Sequence, residues 1–419
     1  MDAVVVFEDA DYRNLLPLVY WRATCQLRVG KRTLLSKVRR QFEGVPVSVY
    51  VRDELAEITR QRHSIAVNEP PSGDRVLFVN GRAAWRRRVE PDRWPSAAFA
   101  GESLLWLAAD RALADRLGSG SFFDAEALAE ALGGVPRVEP DPDACVLFDY
   151  PWQLVGANHD ELLLDWQAEG AGGIEGAVHD GCHLLNEADI HVGPGSTIKP
   201  CCVLDAEDGP VWIGENCRIG PHATLEGPCC IGDGSVIQPG ARIREDATIG
   251  PVCKVGGEIE ASVIHSYSNK QHDGFLGHAY LGSWINIAAD CVNSDLKNTY
   301  GTVRVPINGV EIETGEMFVG LTMGDHTKAG INLSFPTGAV AGFASNIFLS
   351  TFPPKFVGSF NWYTDRGCMP YDPHRGVATA RRVMQRRKVE MTAAEEALFL
   401  ATAEMARHIE VAWEVGPGE

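Results

Sequence analysis

The sequence predicts a multidomain protein, with an α/β, Rossmann-like N-terminal domain, a left-handed parallel β-helix and a short helical C-terminus. Three observations support this. Strand and helix patterns alternate to about residue 165, a six-residue repeat follows from about Val192, and helical periodicity returns near the C-terminus. A chain of 419 residues with 45% hydrophobic content is long enough for two substantial cores.

The N-terminal pattern alternates buried-strand candidates with helical stretches, which indicates a parallel sheet covered by helices. The segments are strands at Ala3–Phe7, Val45–Val51 and Val76–Val79, and helices at Thr33–Phe42, Leu104–Leu117 and Phe123–Leu132. We expect this domain at residues 1–168, and a glycine-rich linker at residues 169–184.

The second half carries a strict period of six. Large aliphatic residues recur at every sixth position from Ile213 to Val255, and a small residue stands four positions after each of them up to Ile249. A helical period of 3.6 cannot produce two fixed positions at this spacing, so each hexad is interpreted as a short strand plus a turn. Three hexads make one triangular coil, and coils stack at about 4.8 Å. The aliphatic positions are Ile213, Ile219, Leu225, Ile231, Ile237, Ile243, Ile249 and Val255.

Several cysteines occupy the small position of the hexad, where a thiol packs as a small hydrophobic group. They are Cys202, Cys217, Cys229 and Cys253. The eleven cysteines show no zinc-binding spacing, so we expect reduced thiols in a cytoplasmic protein. The β-helix is expected at residues 185–365, and a helical segment at residues 366–419 with a capping box at Thr392–Glu395.

Composition excludes some function classes. The net charge of −18 argues against an overall nucleic-acid or anionic-membrane binder. No stretch approaches the roughly 18 to 20 apolar residues of a membrane span. The first residues, MDAVVVFEDADYRN, lack the basic region of a signal peptide, so none is expected.

The repeat loosens after Val255, and the break carries the polar runs 268–274 and 293–301. Irregular coils of a solenoid commonly form its binding face. Acyl transfer from a thioester needs a base, and a histidine suits that role, so His272 is the candidate base. Lys254, Lys270 and Arg244 are candidate phosphate ligands. His326, in a second polar segment, is a further candidate base, and the structural alternative is a polar coil corner.

Two motifs, LGxxxNIxA at Leu281–Ala289 and NTYG at Asn298–Gly301, follow the hexads. With them the chain resembles a variant bacterial branch of the bifunctional glucosamine-1-phosphate N-acetyltransferase / N-acetylglucosamine-1-phosphate uridylyltransferase family. The resemblance covers essentially the whole chain and is strongest at residues 185–365. It implies acetyl-CoA as co-substrate, a homotrimer with acyl-transfer sites between neighbouring β-helices, and a role in UDP-N-acetylglucosamine or cell-envelope precursor synthesis.

The family motif KxGHxxYLG was matched to residues 269–277, which gives His272 the role of the catalytic base. The resemblance implies substrate-binding roles for Arg244, Asn286, Asn298 and Tyr300, beside the candidate Lys270. Asn269 replaces the motif lysine and Phe275 replaces its tyrosine. The acceptor pocket is therefore altered, and the acceptor need not be glucosamine 1-phosphate.

The N-terminal part resembles sugar nucleotidyltransferases in outline. The framework from Arg13 to Pro17-Leu18, and Val29-Gly30-Lys31, follows their pattern, but their glycine loop is missing. Asp9 and Asp11 put negative charge where a triphosphate would lie, and Asn80 follows the strand at which a metal-binding aspartate is usual. Possible phosphate ligands are Arg13, Arg22, Arg28 and Lys31, and the alternative is ordinary surface charge.

The sequence therefore predicts an acetyl-CoA-dependent acyltransferase acting on an amino-sugar phosphate or related sugar. A first alternative is a bifunctional enzyme that also transfers a nucleotidyl group in residues 1–168, with Mg²⁺ if that domain is active. A second is a non-catalytic N-terminal domain that binds a sugar nucleotide. The expected partners are small molecules, the sugar phosphate and acyl-CoA.

Overall fold

The computed structural model describes residues 1–169 and 172–410. The chain forms two compact units, each with its own hydrophobic core. The first comprises Met1–Leu15, Trp21–Leu27 and Arg32–Tyr150, and the second comprises Leu16–Tyr20, Arg28–Lys31 and the chain from Pro151 onward. Two short segments of the N-terminal sequence thus belong to the second unit, and the first unit ends before the expected boundary at residue 168.

The first unit is built on a mixed sheet with the strand order β2-β1-β3-β5-β4-β6. Strand β1 is an apolar run buried on both faces, as expected for the centre of a parallel sheet. It pairs in parallel with β2 and β3, and β5 pairs antiparallel with β3 and β4. The strands are β1 Ala3–Phe7, β2 Val47–Tyr50, β3 Arg75–Asn80, β4 Ser96–Ala100, β5 Ser103–Asp110 and β6 Arg137–Val138.

Helices flank this sheet, and two of them match the sequence prediction, α1 Leu34–Gln41 and α4 Ala125–Ala131. The others are α2 Asp53–His63, which was not predicted, and α3 Arg111–Ala114. The predicted helix at Leu104–Leu117 is wrong, because residues 103–110 form strand β5 and only residues 111–114 are helical. A short apolar run buried on both faces cannot be told from a buried helix by periodicity alone. Asp110 ends the strand and caps α3 by accepting the Leu113 amide at 2.9 Å.

The second unit is a parallel β-solenoid whose strands stack in three ladders, here called the first, second and third faces. The first face contains Gly173–Ile174, Ile190–Val192, Val211–Ile213, Cys229–Ile231, Ala247–Ile249, Val263–Ser266, Tyr280–Ser283, Thr322–Met323, Val340–Ala341 and Phe356–Val357. The second contains Ala177–Val178, Thr197–Ile198, Arg218–Ile219, Val236–Ile237, Lys254–Val255, Asn269–Lys270, Asn286–Ile287, Lys328–Ala329, Asn346–Phe348 and Asn361–Thr364, with Gly367–Pro370 added antiparallel. The third contains His183–Leu185, Val203–Asp205, Thr224–Glu226, Arg242–Ile243, Glu258–Glu260 and Phe275–Gly277.

The interior of the solenoid confirms the six-residue register. Ile213, Ile231 and Ile249 stack in register on the first face, and each is fully buried. The cysteines predicted in the small position are also buried, and the Cys202 thiol donates to the Gly220 carbonyl at 3.0 Å. Burial raises the pKa of the Cys253 thiol to about 12, so this group stays protonated and unreactive.

The glycine-rich segment predicted as a linker already forms the first coil. Residues 173–174, 177–178 and 183–185 pair in parallel with the next strand of each face. Gly170 and Ala171 lie outside the described residues. Helices α5 Pro151–Gly156 and α6 Asn158–Glu169 precede this coil and belong to the solenoid unit.

The solenoid is interrupted by a long insertion between residues 293 and 322. It contains a hairpin, Arg304–Ile307 with Val310–Glu313, and the strand Val292–Asn293 before it pairs with Ser334–Phe335 after it. Helices α7 Pro373–Gln385 and α8 Ala393–Glu410 follow the last coils. The predicted capping box is confirmed, with Thr392 and Glu395 exchanging backbone-to-side-chain hydrogen bonds of 3.0 and 3.1 Å. None of the helices in the described chain has the length and apolar character to span a membrane.

Candidate functional site

A histidine and a carboxylate lie in contact where the solenoid turns from its third face to its first. The Nδ1 atom of His278 lies 2.9 Å from the Oδ2 atom of Asp295, and the side chains are 24% and 15% exposed. A Cβ atom at Gly277 would collide with that carboxylate, so glycine is required for Asp295 to reach the ring. Phe318 stacks on the imidazole with ring centroids 5.1 Å apart. The pair is thus fixed by packing on several sides.

Asn293 fixes the backbone beside both His278 and Asp295. Its side chain accepts the Gly277 amide and donates to the Gly277 carbonyl, both at 2.9 Å. This replaces ordinary strand pairing at the point where the third face ends. The chain then runs directly into Asp295, whose carbonyl accepts the Val319 amide at 2.9 Å.

This geometry suits general-base catalysis. A carboxylate on Nδ1 selects the tautomer with its proton there and leaves Nε2 to accept a proton from a substrate. The proton is assigned from this hydrogen bond. Other histidines that contact a carboxylate include His159, with Asp246, and His408, with Glu404, and both are more exposed than His278.

Acidic side chains surround the neighbouring residue Arg244. Its guanidinium lies 3.5 to 3.7 Å from the carboxylates of Glu226, Glu245, Glu258 and Glu260. The Glu260 carbonyl accepts the His278 amide, so this cluster adjoins the histidine. Burial raises the pKa of Glu260. The predicted substrate ligand Arg244 is therefore engaged by carboxylates and its positive charge is offset.

His272, the predicted base, lies on an exposed turn between the second and third faces. In the described chain its ring makes no hydrogen bond or ion pair, although its carbonyl accepts the Lys270 ammonium at 2.6 Å. The turn leaves the imidazole accessible to solvent without a residue that orients it.

The placement of Lys270 corrects the expectation of a phosphate ligand. Lys270 stacks in register between Val255 and Ile287, in the interior position of the hexad, and is 2% exposed. Its ammonium donates to the carbonyls of Gly256 and His272. Burial lowers the pKa of Lys270 to about 8. The side chain therefore lies inside the solenoid rather than at a substrate surface.

The other predicted ligands of the solenoid are exposed. Asn286 lies on the second face, in register with Asn269 and Lys328. Asn298 and Tyr300 follow Asp295 in the same insertion, and Tyr300 is 69% exposed. The structure thus places two of the predicted residues on the segment that supplies the carboxylate of the His278 pair.

His326, the second candidate base, is 2% exposed. Its ring packs against aromatic rings at the turn between the first and second faces: Trp284, Phe343 and Phe399, with centroids 5.4 to 6.2 Å away. This position favours the structural alternative, a coil corner.

A basic cluster lies on the second face. Arg387, which follows the end of α7, donates to the Asn269 side chain at 2.5 Å. Burial, followed by the charges of Arg387 and Arg386, lowers the pKa of Lys254, which places these three cations near one another. Such a cluster suits the phosphate groups of a ligand.

The candidate phosphate ligands of the N-terminal sequence fall in both units. Arg13 lines a cleft of about 270 Å³ with Tyr12, Arg52 and Phe123, whereas Arg22 is 2% exposed. In the solenoid unit, the Lys31 ammonium forms an ion pair with Glu169 and lies 2.9 Å from the centre of a Trp212 ring. The Arg28 amide and carbonyl bond the Tyr280 hydroxyl at 2.8 and 2.9 Å.

Sequence reasoning missed His278 and Asp295. A signal for the histidine was present, because the Gly-His-x-x-Tyr-Leu-Gly part of the family motif also fits residues 277–282 with one residue fewer. That alignment retains the glycine before the histidine and the tyrosine, whereas the match to residues 269–277 has Gln271 and Phe275 at those positions. Asp295 lies in the polar run 293–301, but no motif position singled it out.

Comparisons with known proteins agree with this architecture. Residues 4–171 match the sugar nucleotidyl transferase family, and residues 210–245 match the bacterial transferase hexapeptide family. The chain therefore joins a domain that matches the sugar nucleotidyl transferase family to a hexapeptide-repeat solenoid, which confirms the predicted fold class and resemblance.

Curated relatives include bifunctional GlmU proteins. That of Nitrosospira multiformis is 30% identical over 137 residues, covering 32% of this chain and 25% of its own. That of Synechococcus sp. strain CC9311 is 25% identical over 215 residues, covering 45% of each. The chain thus spans less than half the length of these relatives. A solved structure, the UDP-N-acetylglucosamine O-acyltransferase of Moraxella catarrhalis RH4, matches at 15% identity and a TM-score of 0.25, covering 58% of this chain and 96% of that chain.

Proposed function

We propose that the solenoid transfers an acyl group from acyl-CoA, with acetyl-CoA as the expected donor, to an amino sugar or related sugar of sugar-nucleotide synthesis. His278 is the general base and Asp295 orients it. The observation that carries the proposal is the 2.9 Å contact between Nδ1 of His278 and the Asp295 carboxylate in a partly buried turn. The matches to bifunctional GlmU relatives support the same reaction class. We place the reaction in the cytoplasm, where acyl-CoA is available.

The chemistry needs few groups. Nε2 of His278 takes a proton as the acceptor nitrogen or oxygen attacks the thioester carbonyl. The new C–N or C–O bond forms, the C–S bond breaks, and the proton passes to the departing thiolate of CoA. A positioned base of this kind contributes roughly 10²- to 10⁴-fold to the rate.

The charges next to His278 favour a particular acceptor. Four glutamates contact Arg244, so the local field is negative despite that arginine. A negative field attracts an ammonium group and repels a phosphate. We therefore propose an amino sugar without a phosphate near the reacting amine, rather than glucosamine 1-phosphate.

The donor site needs positive charge for the phosphates of CoA, and the basic cluster of Lys254, Arg386 and Arg387 supplies it on the second face. His278 lies at the corner between the third and first faces. In a triangular coil, this corner is opposite the second face. One solenoid therefore keeps base and basic cluster apart. Neighbouring copies in a homotrimer would bring the turn of one to the basic face of the next.

The test is thiol release from acetyl-CoA by the full-length chain, followed with a thiol reagent over a panel of amino sugars, nucleotide-linked amino sugars and glucosamine 1-phosphate. We expect release with an unphosphorylated or nucleotide-linked amino sugar to exceed that with glucosamine 1-phosphate. Release with none of these acceptors would contradict the proposed function.

The match of residues 4–171 raises a second candidate function, nucleotidyl transfer to a sugar 1-phosphate, but the ion pairs of Arg82 with Asp9, Asp11 and Asp149 argue against it. Its direct readout is pyrophosphate release with Mg²⁺, a nucleoside triphosphate and a sugar 1-phosphate. That readout is independent of thiol release, so the two activities can be scored separately in one preparation.

A further inference from the structure

The N-terminal unit gathers carboxylates at the place where an α/β sheet binds ligands. In the order β2-β1-β3, the chain runs from β1 to β2 on one side and then crosses to β3 on the other side of β1. The strands β1 and β3 therefore flank the point where the strand order reverses, called the switch point. Ligands of such sheets bind outside the carboxyl ends of these strands. Glu8, Asp9 and Asp11 follow β1, and Arg82 follows β3. A magnesium ion for nucleotide chemistry is held by carboxylates so placed, together with water and phosphate oxygens.

The guanidinium of Arg82 forms ion pairs with the aspartates at the switch point. Its side chain is fully buried, and its Nε and Nη2 atoms bond the two oxygens of Asp9 at 2.8 and 2.9 Å. Nη2 also lies 2.9 Å from Asp11, and Nη1 lies 2.5 Å from Asp149. Burial alone would lower the pKa of Arg82, but hydrogen bonds and charge from Asp9, with Asp149 and Asp11, raise it. The guanidinium is thus a permanent cation shared by three carboxylates.

The remaining carboxylate is also engaged. Glu8 bonds Arg52 at 3.0 Å, and that guanidinium lies 3.8 Å from the centre of the Tyr12 ring. The carboxyl ends of β1 and β3 are hydrogen-bonded to each other, because the Gly81 amide donates to the Phe7 carbonyl at 2.8 Å. A Cβ atom at residue 81 would lie 3.0 Å from that carbonyl oxygen. Little space is left between the ends of β1 and β3.

These residues do not fit a magnesium ion. The aspartates already bind a guanidinium, and a divalent ion on the same oxygens would lie beside a fixed positive charge that cannot lose its proton. Among the described residues, no group of three or more His, Cys, Asp or Glu side chains is arranged to hold a metal ion.

We infer that Arg82 replaces the divalent cation of the N-terminal domain, so that Asp9, Asp11 and Asp149 form an internal ion network rather than a metal site. Metal-dependent nucleotidyl transfer is then not a reaction of this domain, even though its sequence matches the sugar nucleotidyl transferase family. The inference concerns the first unit alone and stands independently of acyl transfer by the solenoid.

The test is Mn²⁺ binding to the full-length chain, followed by the electron paramagnetic resonance signal of the free ion. We expect wild-type protein to show no saturable site tighter than about 1 mM. Arg82→Met removes the guanidinium from three carboxylates, so this variant should gain one Mn²⁺ per chain. Arg87→Met is the matched control, because Arg87 pairs with Asp141 at the surface and should change nothing.

A wild-type Mn²⁺ site that is lost in Asp9→Asn would overturn the inference. So would a folded Arg82→Met variant, verified by near-ultraviolet circular dichroism, that binds no more Mn²⁺ than wild type. If Arg82→Met does not fold, wild-type protein still decides the question through pyrophosphate release with Mg²⁺, the common nucleoside triphosphates and sugar 1-phosphates. We expect none above the protein-free control, and release that Asp9→Asn abolishes would contradict us.

Discussion

His278 and Asp295 are 17 residues apart in sequence, yet the imidazole Nδ1 and carboxylate Oδ2 atoms lie 2.9 Å apart. The rise of one coil brings the start of the insertion beside the turn of the preceding coil. Because the carboxylate contacts Nδ1, the ring presents Nε2 as its free acceptor. This relationship is the basis of the catalytic assignment.

Asp295→Asn should lower kcat for acyl transfer by about 10- to 100-fold with little change in KM. The amide no longer stabilises the imidazolium that forms during the reaction, while the substrate contacts remain. Initial rates between pH 6 and 9 measure the effect and show whether the pH profile moves. Asp273→Asn, an exposed carboxylate beside His272, is the control, and equal losses in both variants would contradict the role of Asp295.

Lys254→Ala and Arg387→Ala should each raise KM for acetyl-CoA by about 5- to 30-fold, equivalent to about 1 to 2 kcal/mol of lost phosphate binding. The KM for the acceptor should stay near wild type, and the effect should shrink as salt rises because it is electrostatic. Arg381→Ala is the matched control, since Arg381 pairs with Glu396 on the surface. Unchanged KM for acetyl-CoA in both variants would remove the basic cluster from the donor site.

His278 and the basic cluster lie on opposite sides of one solenoid, so we expect activity only when several chains assemble. Sedimentation equilibrium should give a mass near three times the 45.6 kDa of the chain. Below the KM for acetyl-CoA, mixing His278→Ala with Lys254→Ala subunits should give more activity than the two variants give separately, because some mixed sites then combine an intact base with an intact basic cluster. A monomer with full activity would contradict this arrangement.

Burial lowers the pKa of Lys270 to about 8, from 10.5. Below about pH 8 the amine is charged in folded and unfolded chains, and burial of the charged amine lowers the free energy of unfolding. Between about pH 8 and 10.5 the folded state binds fewer protons than the unfolded state, so the stability contributed by this group rises with pH.

The comparison with Lys270→Met isolates this contribution. The free energy of unfolding of wild type, relative to the variant, should rise by about 1.4 kcal/mol per pH unit in that window and stay flat below it. Lys328, whose pKa burial also lowers to about 8, is present in both proteins and cancels. Urea titrations from pH 7 to 10 measure the difference, and a difference that does not vary with pH would mean that Lys270 titrates normally.

Much of the fold was predictable because a solenoid repeats one local rule. From Ile213 to Val255 each sixth residue must fill the interior, so the sequence alone established the register. Prediction of the register failed where a coil is shorter than eighteen residues. Lys270 stands fifteen residues after Val255, not eighteen, so counting by six did not reveal it as an interior residue. The sequence predicts a linker at residues 169–184 for a similar reason, because the first coil, with strands at residues 173–174 and 177–178, is polar and short.

The sites were less predictable because they depend on contacts between distant loops. Asp295 lies in an insertion whose length no repeat dictates, and its meeting with His278 depends on that insertion. Asp9 and Asp11 were recognised as unfavourable for a triphosphate, but no role was predicted for Arg82. Its contact with Asp149, 67 residues later in the chain, becomes visible only in three dimensions.

The central claim, that His278 is the base of an acyl transfer, is tested most directly by comparing His278→Ala with His272→Ala. Both variants remove one imidazole from the same irregular region, one partly buried against a carboxylate and the other exposed. The measurement is kcat for thiol release from acetyl-CoA with the best acceptor of the panel. We predict a loss of about 100-fold or more in His278→Ala and near wild-type turnover in His272→Ala. Full turnover in His278→Ala, with or without a loss in His272→Ala, would contradict the assignment.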